Sequence, residues 1–238
     1  MARYIYRFKC LSKYFMFYQR VRFPGHKIVV ASCTKDDIAV RFGNRTAIDI
    51  IEHFRGNDGP KVVLDIGGNV GTTAVILGIA LKNIKIHVAE PHPKCFEALL
   101  ENIGRNKLEG IVIPHNIAIG SNLNFISYAQ SKIRKNSGIS ITCESGSFDT
   151  HFKVKSLSLD DFISKTGMVD VLKLDVEGSE YKIFSEFTSW NMVKSYHVEF
   201  HDISGIDRVK VESDIRSKIA KYSKFVKEIP KTAMGRIL

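Results

Sequence analysis

The chain is expected to fold as an α/β protein around a mostly parallel sheet with helices on both faces. Three observations lead there. From Lys61 onward, short β-branched apolar runs alternate with stretches of helical periodicity. Those runs end in glycine or acidic turns, as strands feeding helices do. The length of 238 residues, with 44% hydrophobic and 25% charged residues, suits one core with appendages.

Along the chain, residues 62–66 form a first strand ended by glycines, and 72–81 read as a helix. Residues 84–89 make a second strand closed by Glu90-Pro91, and 94–106 a second helix with Phe96, Leu99, Leu100 and Ile103 on one stripe. A third strand starts at 111–113 and extends to Ala118. Residues 123–156 break the rhythm with short apolar alternations among Ser, Gly and Asn, which predicts an inserted hairpin or a loop over a site. Helix 159–164, strand 169–174, helix 179–187, strand 196–200 and helix 206–221 come next. Residues 225–229 and 233–238 read as a closing antiparallel pair, which brings the strands from Lys61 onward to seven.

Residues 1–60 differ in character and are expected to be an extension to a domain spanning 61–238. Residues 1–23 hold six basic side chains, eight aromatics and no acid. That mixture predicts a helix that packs its aromatics on the sheet or the acceptor pocket, or one that lies at a membrane surface. Strands at 27–31 and 38–42 and a helix at 47–54 are expected after it.

Thirty-five Lys and Arg against 25 Asp and Glu give a net charge of +10, and the pI is about 9.4. An anionic partner fits that surplus: nucleic acid, a membrane surface, an acidic glycan or a negatively charged cofactor. Mean hydropathy is −0.06, and no run of about 18 apolar residues occurs, so neither disorder nor a membrane span is expected. Arg, Lys and Tyr interrupt the apolar start, which argues against a secretory signal. Cys10, Cys33, Cys95 and Cys143 show no CxxC spacing, and they read as reduced thiols of a cytoplasmic, at most membrane-peripheral, protein.

In an open parallel sheet the ligand sits beyond the carboxyl ends of the strands. Strand one ends in Asp65-Ile66-Gly67-Gly68-Asn69-Val70-Gly71, which lacks GxGxxG spacing and carries an acid suited to an ammonium-bearing ligand. Strand two ends in Glu90, nineteen residues past Gly71, placed to accept hydrogen bonds from both hydroxyls of a ribose. Together they point to an adenosyl ligand with no required phosphate. Strand four brings Asp175 to its end, with Glu177 and Glu180 in the next turn. Strand five places Glu199 and His201 on one side. These groups suit general-base chemistry, or a divalent metal on Asp175, Glu199 and His201. Glu177 and Glu180 have a second reading as favourable charges at a helix start.

As a set, these segments resemble class I S-adenosylmethionine-dependent methyltransferases, and within them the FkbM-like group. The first motif is similar to residues 63–71, although that group usually has Ala at the position of Gly68. Ala89-Glu90-Pro91, residues 116–120, residues 173–180 and Val198-Glu199-Phe200-His201 are similar to its later motifs. The resemblance runs from about Lys61 to His201. It implies a Rossmann-like, seven-stranded fold and methyl transfer from S-adenosylmethionine, usually to an oxygen of a sugar, glycan, polyketide or other small acceptor. It also implies that Asp65 and Gly67 lie near the methionine amino group, with Gly68, Asn69 and Gly71 completing the turn. Glu90 and Pro91 would hold the ribose side, Asn116, Ile117 and Ala118 the adenine, and Asp175 both cofactor and acceptor.

The expected catalytic set is Asp175, Glu177, Glu199 and His201, with His201 or Asp175 as base and the other acids orienting it or binding metal. RNA ribose 2′-oxygen is the rival acceptor, served by the positive charge and the basic aromatic start. No NPPY-like segment for base nitrogens occurs, and no cysteine ends strand four or five for attack on a pyrimidine carbon. A non-catalytic reading, a membrane-surface or assembly module with a vestigial adenosyl pocket, also rests on residues 1–23.

Overall fold

A computed structural model describes residues 16–32, 38–120, 125–130, 150–201, 205, 207–222 and 224–225. In chain order the elements are β1 (Phe17–Phe23), β2 (His26–Ser32), α1 (Ile38–His53), β3 (Lys61–Ile66), α2 (Thr72–Ala80), β4 (Ile84–Ala89) and α3 (Pro93–Arg105). Then come β5 (Val112–His115), β6 (Ala118–Ile119), β7 (Phe125–Gln130), β8 (Thr150–Leu157), α4 (Leu159–Thr166) and β9 (Val171–Leu174). The chain continues with α5 (Glu180–Glu186), a single 3₁₀ turn at Trp190–Met192, β10 (Ser195–Val198), α6 (Arg208–Tyr222) and β11 (Lys224–Phe225).

The described part of the central sheet is six-stranded and all parallel, in the order β11-β10-β9-β3-β4-β5. The order reverses at β3, so the carboxyl ends of β3, β4, β9 and β10 open onto one crevice. This is the mostly parallel sheet the alternation predicts, in the Rossmann-like arrangement the family resemblance implies. Residues 226–238 lie outside the described residues, and with them most of the expected closing pair. Just ahead of them, Lys224 and Phe225 pair in parallel with β10.

The period of two divides the core. Val63, Ile86, Val88, Val112 and Val171 pack with α1, α2, α3 and the β1–β2 hairpin on one face. Leu64, Ile66, Leu172, Leu174, Tyr196 and Val198 pack with α4, α5 and α6 on the other. Phe184 lies at the centre of that second face, with ring contacts to Phe187, Trp190, Tyr196 and Phe200. Helix α2 is buried from Thr72 to Gly78 because α1 covers the side that would otherwise face water. Met16, Tyr18, Val21, Ile28 and Val30 of the N-terminal hairpin share the same cluster as Val63 and Val75.

Three local expectations change. Residues 38–42 begin α1 instead of forming a strand. Four apolar residues and Arg41 over five positions cannot separate strand from helix, and Ala47, Ile50 and Phe54, buried at spacings of three and four, continue a helical stripe. Residues 17–23 pair as a strand with His26–Ser32 across Pro24-Gly25, where Gly25 takes φ 77°, so this part of the basic aromatic start is not helical. Residues 1–15 lie outside the described residues. The third strand stops at His115, and Ala118–Ile119 leave the main sheet to pair with β8. The expected insertion is a hairpin of β7 and β8, with the residues between outside those described. Among the described residues, no helix is long and apolar enough to cross a membrane.

Removing the ring that joins the four aromatics tests this core. Phe184→Ala is expected to cost about 3–5 kcal/mol, measured as a lower midpoint in guanidinium unfolding with an unchanged slope.

Candidate active site

The glycine turn after β3 is fixed by close backbone approach. Gly67 has φ 77°, and a Cβ there would sit 1.8 Å from the Asp175 carbonyl oxygen, so no other residue fits. Gly67 N and Gly68 N both donate to Ala89 O, at 3.0 and 3.2 Å, which draws the turn across the end of β4. Asn69 takes φ 51° and Gly71 φ 80°, and Gly71 is the N-cap of α2. A Cβ on Gly68 would stand 2.0 Å from Val88 Cγ1. The Val88 methyl thus takes the space that the usual alanine would need.

Beneath the turn lies a buried ion cluster. Register places Asp65 of β3 beside Lys173 of β9, and Lys173 Nζ is 3.0 Å from Asp65 Oδ1. The same ammonium donates to Gly67 O at 2.9 Å and stands 3.5 Å from Asp175 Oδ2. Burial alone would lower the Lys173 pKa, but Asp65 and Asp175 outweigh it and hold it above the ordinary lysine range. Asp65 does not reach the cavity. It is fully buried, and its Oδ1 takes the Lys173 ammonium at 3.0 Å, so its charge serves that ion pair. This ion pair with Lys173 is a contact that the sequence reading did not include.

Glu90 does open on the cavity. Its Oε2 accepts from Asn69 N and its Oε1 from His92 N, each at 2.8 Å, tying the two strand-end turns together. Burial raises its pKa to about 7 against the opposing pull of those two amides and of Lys173. Pro91 and Ile117 line the cavity as expected. Asn116 works behind it, with Nδ2 donating to Glu90 O at 2.9 Å and Pro91 O at 3.2 Å. Ala118 is buried in β6 and does not line the cavity, whereas Cys95 and Ile119 do.

Asp175, Glu177, Glu199 and His201 converge at the other end of the same cavity. His201 Nδ1 donates to Glu180 Oε1 at 2.8 Å, and its Nε2 faces Glu177 Oε2 at 3.6 Å and Asp175 Oδ1 at 3.9 Å. Tyr181 OH donates to the His201 carbonyl at 2.9 Å and fixes its backbone. Burial would lower the His201 pKa, but Glu180, Glu177 and Asp175 raise it to about 9, so the ring is an imidazolium at neutral pH. Burial, then repulsion by Asp175, raises Glu199 to about 7. Asp175, Glu177 and His201 offer ligand atoms within 4.8 Å of one another, and a divalent cation there would have to displace the proton on His201 Nε2; Glu199, expected in this set, is not among the grouped atoms.

Sequence reasoning gave no role to Lys173, Gly43 and Thr46, and it left Glu180 out of the catalytic set. Lys173 carried a signal, since a lysine in a buried strand needs a counter-ion and Asp65 is the acid on the neighbouring strand. Glu180, wholly buried beneath His201, had the competing reading of a helix-start charge. Gly43 and Thr46 of α1 line the cavity, and Thr73 Oγ1 donates to Gly43 O at 3.2 Å; no motif marked them.

Residues 65–221 match the family model of the methyltransferase FkbM domain, about two thirds of the chain. The chain belongs to the FkbM methyltransferase family. Its relatives include the 31-O-demethyl-FK506 methyltransferase FkbM of Streptomyces tacrolimicus, 23% identical, with 60% of this chain and 66% of that protein covered. Among solved structures, it is similar to a precorrin-6y C5,15-methyltransferase of Geobacter metallireducens, at 10% identity and a TM-score of 0.44 over 74% of this chain and 71% of that one. It is also similar to the N-terminal domain of human METTL16 in complex with SAH, at 13% identity and a TM-score of 0.41 over 77% and 63%.

The exchange of alanine for glycine at 68 gives a test. Gly68→Ala alone is expected to destabilise the protein by about 1–3 kcal/mol through overpacking against Val88. Adding Val88→Ala should recover stability relative to the Val88→Ala single variant, read as a thermodynamic cycle of unfolding midpoints.

Proposed function

We propose that the cavity binds S-adenosylmethionine and that the protein methylates a hydroxyl of a sugar, glycan, polyketide or other small acceptor. The observation that carries this reading is Glu90. Glu90 lines the cavity, and each of its carboxylate oxygens accepts one backbone hydrogen bond and has a further lone pair to offer, which matches the demand of two vicinal ribose hydroxyls. The bound cofactor supplies an electrophilic methyl on a sulfonium whose departure needs no proton. The chain's own residues must therefore align the acceptor oxygen and take its proton.

Of the acids at the acceptor end, Glu199 fits the base. His201 is already protonated at neutral pH, and both Asp175 oxygens face cations, Lys173 at 3.5 Å and His201 at 3.9 Å. Glu199, raised to about 7, is poised to accept a proton near neutrality. Asp175 and Glu177 then orient the acceptor, and His201 holds both acids in place. Three carboxylates at this end serve a hydroxylated or cationic acceptor better than an RNA phosphate backbone.

Calorimetric titration tests the cofactor site. Wild-type protein should bind S-adenosylmethionine, and Glu90→Ala should bind it at least about tenfold more weakly. Glu90 is protonated below about pH 7 and must ionise to accept both hydroxyls, so affinity should fall as pH drops through 7, by up to about tenfold per unit. Binding that is equally tight at pH 5.5 and 8 would count against the role of Glu90.

Activity should rise through about pH 7 as Glu199 ionises and fall through about pH 9 as His201 loses its charge. Glu199→Gln should remove the lower limb and about 10²–10⁴-fold in kcat. Loss of activity in EDTA, restored by Mg²⁺, would instead assign Asp175, Glu177 and His201 to a metal.

A further inference from the structure

Asn102 is wholly buried in the last turn of α3, where its side-chain amide needs partners from other segments. Oδ1 accepts from Ala31 N at 2.6 Å, and Nδ2 donates to Ala31 O at 3.0 Å and to Val70 O at 2.7 Å. One amide thus captures the outer edge of β2 and the carbonyl at the centre of the glycine turn. That carbonyl lies between two residues with positive φ, Asn69 and Gly71, a conformation kept only where its surroundings over-determine it. Asn69 N, one residue earlier, is the donor to Glu90 Oε2. Asn102 and Glu90 therefore grip the same turn from opposite sides.

The hairpin has a second hold on this helix. Arg105 stacks 4.4 Å over the Tyr18 ring, and Tyr18 OH donates to Glu101 Oε1 at 3.3 Å. On the turn side, Leu99 Cδ1 stands 2.3 Å from where a Gly71 Cβ would be. Helix α3 is clamped between the N-terminal hairpin and the cofactor turn, with Asn102 hydrogen-bonded to both.

We propose that Asn102 is a positioning residue that couples the β1–β2 hairpin to the cofactor turn, so that filling the cavity tightens the hairpin and loosening the hairpin weakens cofactor binding. By linkage the two effects are equal in size. No residue of β2 lines the cavity, so contact with ligand does not account for a response there. The proposal rests on the reading of the cavity as an S-adenosylmethionine site.

Hydrogen exchange of the full chain, with and without saturating S-adenosylhomocysteine, tests it. Amides of peptides spanning His26–Ser32 should exchange more slowly in the complex. Asn102→Asp keeps the shape but replaces both donor hydrogens with an acceptor facing two carbonyls. It should weaken S-adenosylhomocysteine binding by about tenfold, raise KM for S-adenosylmethionine with kcat at saturation kept within about twofold, and abolish the exchange response. Should that variant fail to fold, the wild-type exchange result decides alone. Binding without slower exchange in the hairpin overturns the coupling and leaves the cofactor reading standing. No binding by the wild-type protein overturns both.

Discussion

The ion pair between Asp65 and Lys173 is the constraint around which the site is built. Two strands buried on both faces meet there with opposite charges at one register level. Neither charge is tolerable alone in that setting, and removing one partner of such a pair typically costs about 3–5 kcal/mol. What makes the arrangement useful is its excess: one ammonium faces two carboxylates and a carbonyl. Lys173 reaches Asp175 and Gly67 O besides Asp65, so the turn after β3 and the end of β9 are held against each other. That contact is close enough that Gly67 has no room for a side chain.

From this point the two ends of the cavity acquire opposite characters. On the β4 side, Glu90 stabilises two turns through their amides and shows one face to the ligand. On the β10 side, Glu180 lies beneath His201 and fixes the ring, and the ring gathers Asp175 and Glu177. His201 is thus held from behind by Glu180, a fully buried group that does not line the cavity. Such backing gives a site its geometry before any ligand arrives.

Most of the sheet was legible because strand ends and helix starts carry strong local signals: β-branched runs, glycine turns, and acids at the carboxyl ends. Glu90, Asp175, Glu199 and His201 could be placed at one crevice from alternation alone. The role of Asp65 could not, because a strand-end acid looks the same whether it faces a ligand or a buried lysine far along the chain. The pairing of β3 with β9 decides that, and pairing is non-local. Residues 38–42 failed for a different reason, since a short apolar run has no period of its own and takes its conformation from the helical stripe of Ala47, Ile50 and Phe54 beyond it. Asn102 was invisible, being one polar residue on an otherwise amphipathic helix whose partners lie 71 and 32 positions away.

The chain as a whole is basic by ten charges, yet the β10 end of the cavity presents Asp175, Glu177 and Glu199 beside two cations, the His201 imidazolium and the Lys173 ammonium. Fields from distant surface lysines are screened within about 8 Å at physiological salt, whereas charges inside a crevice act at contact range. The bulk charge therefore governs what approaches the molecule, and the cavity governs what it accepts. On the proposed reading, a polyanion drawn to the surface would meet carboxylates at this end of the cavity, and a neutral acceptor rich in hydroxyl donors would meet carboxylates already oriented by His201. The global charge and the local site thus answer different questions, and the acceptor's chemistry has to be read from the second.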